Sequence, residues 1–157
     1  MLPQLVVSGL ALGSIYALLA LSLVLINKAT DVVNFAQGEM AMFGTFVCFA
    51  LLTKVGLPLT VVLILAAPVG ALLGMATERL TMVRLQAAPQ VNALIATIGL
   101  WMIFHHAAGW IWGYDPVSFP SLFSPNPVDV LGARIAQNSR GIIAVSLLVV
   151  VLLYLLF

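Results

Sequence analysis

Five runs of roughly twenty predominantly apolar residues divide this chain, and runs of that length dictate the solvent in which it folds. A bilayer has a hydrocarbon core of about 30 Å, and a helix rises about 1.5 Å per residue, so about 20 apolar residues make one crossing. The runs extend from Leu5 to Ile26, Phe35 to Thr53, Leu59 to Thr77, Val91 to Gly113 and Gly141 to Phe157. They are about twice as long as a barrel strand and do not alternate apolar with polar, so a transmembrane β-barrel is excluded. The expectation is an all-α, polytopic transmembrane helical bundle, with residues 1–157 forming a single domain. The long connection, Tyr114 to Arg140, holds Pro116, Pro120, Pro125 and Pro127, which rule out a regular helix through its first half and place it outside the membrane.

Composition supports the same solvent. With 63% hydrophobic and 7% charged residues, the chain lacks the polar groups to cover a water-soluble particle of its size. A net charge of +1 supplies no field to hold nucleic acid. The single cysteine, Cys48, forms neither an internal disulfide nor a cysteine-based metal centre. No Lys or Arg precedes the first run, which is too long for a cleaved signal peptide, so it reads as a permanent span. Ile142 to Phe157 stays apolar to the last residue without a polar cap, so the helix is expected to continue beyond it. If all five runs cross, Lys28, Arg79 and Arg84 share one side and Lys54, Arg134 and Arg140 the other. Because long connections translocate regardless of charge, Arg79 and Arg84 are assigned to the cytoplasm. Trp110, Trp112 and Tyr114 then form an aromatic belt at the outer interface.

The most informative stretch is Asn34-Phe35-Ala36-Gln37-Gly38-Glu39, at the mouth of the second span. An acid such as Asp near the centre of a spanning helix costs about 2.5–3.5 kcal/mol on insertion scales, so Glu39 calls for water, a partner or a proton. Two readings coexist. Asn34 as N-cap with Gln37 three residues on is a capping box, with Glu39 favourably placed at the positive end of the helix dipole. Alternatively Glu39, with Gln37, Asn34 and Ala17, lies along a solute path or supports its core. At about 100° per residue, Glu39 points away from Asn34 and Gln37 on a regular helix.

Other features carry less. Adjacent His105 and His106 point about 100° apart with no Cys or carboxylate nearby in sequence, which favours neutral packing over a metal site and leaves a pH-sensitive or solute-facing role open. Gly9-xxx-Gly13, Gly70-xxx-Gly74 and Gly109-xxx-Gly113 have the spacing of close helix packing, which apolar glycine-rich helices also produce by chance. Glu78, Arg79 and Arg84 read as a water-facing helix end, with contact to a cytoplasmic partner as the functional alternative. No phosphate-cradling loop or catalytic constellation occurs, so no cofactor is expected, and if transport here uses ATP the hydrolysis belongs to another chain.

The runs Gly9-Leu10-Ala11-Leu12-Gly13-Ser14-Ile15-Tyr16-Ala17-Leu18, Lys28-Ala29-Thr30 and Val33-Asn34-Phe35-Ala36-Gln37-Gly38-Glu39-Met40 resemble the opening of the branched-chain amino acid ABC transporter permeases. The resemblance resumes at Glu78-Arg79, at Leu94-Ile95-Ala96-Thr97-Ile98-Gly99-Leu100 and at Pro120-Ser121-Leu122-Phe123. It implies the N-terminal half of a longer permease of about eight spans in the bacterial inner membrane. It also implies a second related permease subunit, two cytoplasmic ATPase subunits and a periplasmic binding protein delivering branched-chain or related amino acids. Gln37 stands where the family often has histidine, Asp31 where it often has glycine, Met82-Val83-Arg84 where many members have Tyr-Arg-Pro, and His105-His106 where amides are common. Relatives with this opening carry urea, short amides or aromatic acids, so one of those solutes is an alternative, and an ion-coupled carrier or channel using Glu39 is another.

Overall fold

The computed structural model describes residues 2–85, 88–120, 128–130, 133–135 and 137–156. Its helices are α1 (Leu2–Thr30), α2 (Gln37–Thr53), α3 (Leu59–Thr77), the short α4 (Val83–Leu85), α5 (Gln90–Trp112) and α6 (Gln137–Leu156), and a π-helical segment, Glu78–Met82, joins α3 to α4. An antiparallel pair, β1 (Val128–Val130) and β2 (Ala133–Ile135), pairs Asp129 with Arg134 inside the connection that the prolines deny to a helix. Pro125, Pro127 and Ser121-Leu122-Phe123 lie outside the described residues.

Among the described residues, four helical stretches are long and apolar enough to cross a membrane: Gln4–Thr30, Leu59–Leu85, Gln90–Trp112 and Asn138–Leu155. The fifth, α2, has 17 residues, or roughly 25 Å. It begins two residues later than the expected Phe35 because the chain turns at Asn34 first. Helix α6 begins earlier than Gly141, taking in the polar Gln137, Asn138, Ser139 and Arg140 as its first turn.

The chain divides into two compact units, residues 23–119 and residues 1–22 with 120–157. In the first, α2 packs on both α3 and α5. Gly56, at φ 75°, helps turn the chain between α2 and α3, and the two run antiparallel, Gly44 facing Leu73 and Cys48 sharing a cavity wall with Val62. Helix α5 runs parallel to α2, for Glu39 meets Trp101, Phe43 meets Phe104 and Phe46 stacks on Trp112. Short as it is, α2 therefore travels with a helix of spanning length. Residues 2–22 and 137–156 of the second unit are helical, and it also carries the β1–β2 pair.

Buried apolar residues in the 23–119 unit are small or medium, Ala36, Cys48, Val62, Ala93 and Ala108, whereas Ile64 is 74% exposed. Large apolar side chains facing outward suit lipid, which does not drive them inward as water does. Two expectations need correction. A Cβ on Gly70 or Gly74 would meet nothing within 4 Å, and these glycines border cavities instead of admitting a second backbone. Trp112 is not a belt residue, because it turns inward to stack on Phe46 at 5.3 Å and to meet Phe43 edge-on at 5.4 Å, while Trp110 stays exposed.

Asp31 ends α1 with φ 55°, and its N–H donates to the Asn27 carbonyl at 2.7 Å. That left-handed turn is where glycine is favoured, which gives a physical reason for the glycine frequent at this position in the resembling family. Asp31→Gly should stabilise the protein by about 0.5 kcal/mol, because relief of roughly 1 kcal/mol of strain is partly offset by glycine's freedom when unfolded. A thermal midpoint of the purified protein that rises by a degree or two meets this expectation; a fall contradicts it.

Candidate functional site

The junction between α1 and α2 is built from local hydrogen bonds. The Asn34 side-chain Oδ1 accepts from the Ala36 N–H at 3.0 Å, and the Asn34 carbonyl accepts from the Gln37 N–H at 3.2 Å. This corrects the capping-box reading, since Ala36 is the N-cap and makes no side-chain cap bond. Asn34 closes a turn just before the helix, its amide NH2 lying 3.7 Å from the Met40 sulfur. Both Asn34 and Ala36 are buried, Ala36 completely.

Across this junction lies α5. Thr97 is fully buried, and its hydroxyl donates to the Leu94 carbonyl at 2.8 Å while lying 3.5 Å from the Val33 carbonyl. One turn further, the Trp101 Nε1–H donates to Glu39 Oε1 at 3.0 Å. A turn beyond that, His105 Nδ1 lies 3.4 Å from Glu39 Oε2, an ion-pair separation without hydrogen-bond alignment, and both atoms are buried. Thr97, Trp101 and His105 thus form one stripe at four-residue spacing along α5. His105 then meets His106 edge-on at 5.4 Å, and His106 Nδ1 lies 3.5 Å from the Tyr114 hydroxyl. Tyr114 folds back over Gly109, where any Cβ would overlap its ring, and Gly113 permits the reversal with φ 86°. The third glycine pair therefore serves a helix end and a tyrosine, not a helix crossing.

Beside the stripe, a cavity of about 300 Å³ is lined by residues that include Ala29, Thr30, Asn34, Thr77, Glu78 and Thr97. Four separate motif segments of the sequence contribute to its wall: Lys28-Ala29-Thr30, Val33 to Met40, Glu78-Arg79 and Leu94 to Leu100. The π-helical segment begins there. The Thr81 hydroxyl bonds the Thr77 carbonyl, and the Val83 N–H reaches back to the Glu78 carbonyl in the five-residue register. Glu78 and Arg79 are exposed but do not end the helix, because the chain continues helically to Leu85. Exposed Arg84 donates to the Leu80 carbonyl at 3.3 Å.

Of the residues picked from sequence, Asn34, Gln37 and Glu39 gather at the start of α2 but serve different neighbours: Asn34 lines the cavity and Glu39 faces α5. Ala17 is an exposed residue of α1 in the unit of residues 1–22 and 120–157. Sequence reasoning missed Thr97 and Trp101. Their four-residue spacing with His105 was the available signal, masked by attention to the adjacent His105-His106. Among the described residues, no three His, Cys, Asp or Glu side chains come together to hold a metal ion.

A family model described as the permease component of branched-chain amino acid transport systems matches residues 5–157. The high-affinity branched-chain amino acid transport system permease protein LivH of Salmonella typhimurium is 30% identical over 125 residues, covering 74% of this chain and 41% of that protein. LivH of Escherichia coli K12 is 31% identical over the same shares. BraD, the corresponding permease protein of Pseudomonas aeruginosa, is 28% identical over 131 residues, covering 78% of this chain and 43% of that protein. This chain therefore spans about two fifths of the length of these relatives. No solved structure matches it. With its apolar helices, the similarity describes a multi-pass membrane protein.

Proposed function

Because the chain belongs to the family of permease components of branched-chain amino acid transport systems, we propose that it forms part of an inner-membrane subunit of an ATP-driven importer of branched-chain or related amino acids. A second related permease completes the path, two cytoplasmic ATPase subunits drive it, and a periplasmic binding protein delivers the solute. The transport step is conformational, with no covalent chemistry on this chain. Glu39 is the leading residue of the path or its supporting core, with Asn34, Gln37 and Ala17 beside it in role. Glu78, Arg79 and Arg84 face the cytoplasm and are the candidate contacts for a cytoplasmic partner.

The observation that carries this reading is the gathering of four motif segments around one cavity at the start of α2, next to a carboxylate with one oxygen, Oε2, buried. A carboxylate held among apolar helices is a functional feature by default, since its burial is costly. One observation favours a second reading: the facing Glu39 and His105 also suit a proton or cation site in an ion-coupled carrier. Deleting the encoding gene tests the transport role. Uptake of labelled leucine, isoleucine or valine should fall to background and return with the full-length gene; unchanged uptake would make the chain an accessory structural subunit.

A further inference from the structure

Trp101 and His105 belong to no motif that carries the family resemblance, yet they supply the side-chain partners of Glu39, one for each carboxylate oxygen. We propose that the two act as positioning residues for Glu39, a two-point clamp on α5 that fixes the carboxylate's direction during transport. The proposal rests on the reading that Glu39 serves the solute path.

The chemistry of the two points differs. An indole nitrogen is a donor only, so Trp101 orients Oε1 whatever the protonation state around it. The imidazole of His105 presents Nδ1 to Oε2 at 3.4 Å, and its second ring nitrogen lies across the ring from that contact. The rings of Trp101 and His105 lie 6.1 Å apart by centroid, one helical turn from each other on the face of α5 toward α2. Trp101 is 43% exposed, so it is not simply a filler of the core. His105 is backed by the rings of His106 and Tyr114, at 5.4 Å and 6.5 Å, which restrict its rotation.

A double-mutant cycle in cells carrying the full-length permease with its partner subunits separates this role from ordinary packing. Trp101→Phe removes the N–H donor and keeps an aromatic ring. In the otherwise native protein it should lower uptake about tenfold at equal membrane level, the size expected for a hydrogen bond to a charged group. In a Glu39→Gln background the same change should matter by less than about twofold, because the group being positioned has lost its charge. Equal losses in both backgrounds would overturn the clamp, as would no loss in the native background while Glu39→Gln alone is impaired. Normal uptake by Glu39→Gln alone would instead overturn the underlying reading of Glu39. His105 provides the second arm. His105→Asn keeps a nitrogen donor near the Nδ1 position and should retain most of the uptake, whereas His105→Leu should lose it; equal behaviour of the two would also overturn the clamp.

Discussion

Glu39→Gln should reduce uptake at least about tenfold while leaving the amount of permease in the membrane near normal. The substitution keeps the shape and the Oε1 acceptor that meets the Trp101 N–H. It removes the negative charge facing His105 and, with its one oxygen on the Trp101 N–H, puts an amide NH2 opposite Nδ1. A group that only capped α2 would lose a dipole interaction of roughly 0.3–1 kcal/mol, visible as a small stability change with transport intact. A group on the path or in its supporting core loses transport itself. Initial uptake rates measured beside immunodetected membrane levels distinguish the two, and normal transport at normal levels would remove Glu39 from the mechanism.

Asn34→Ala should act on stability. Its side-chain oxygen is the acceptor for the N–H of Ala36, a residue with no solvent exposure, so truncation takes away the partner of a buried donor. A buried donor left unpaired costs about 1–3 kcal/mol, so the purified permease should melt several degrees lower and accumulate less in the membrane. Asn34→Asp retains the acceptor and should recover most of the loss in melting temperature. Equal melting of Asn34→Ala and the native protein would mean that the turn before α2 is held by something other than Asn34.

The spans were legible because length and hydropathy are local properties. Leu59 to Thr77 follows from an uninterrupted apolar run, and the structure returns the same helix. The edges were less so. The beginning of α2 depends on whether Asn34 caps the helix or closes a turn ahead of it, and both use the same side-chain oxygen. The Glu39 clamp was not legible at all, since its partners lie 62 and 66 positions away and only the parallel register of α2 and α5 brings them together. The inward turn of Trp112 escaped for a similar reason. An aromatic residue near a span's end reads as an interfacial anchor until the neighbouring Phe43 and Phe46 are seen to receive it. The positive φ of Asp31 was not read from the sequence either, although the glycine that the resemblance puts at that position fits it.

The energy source for uptake tests the importer assignment most directly. In cells carrying the full-length permease and its partner subunits, initial uptake of labelled leucine should collapse when ATP is depleted and persist when a protonophore dissipates the proton gradient at maintained ATP. Uptake that survives ATP depletion and disappears with the proton gradient would contradict the account, and would make the facing Glu39 and His105 part of an ion-coupled carrier.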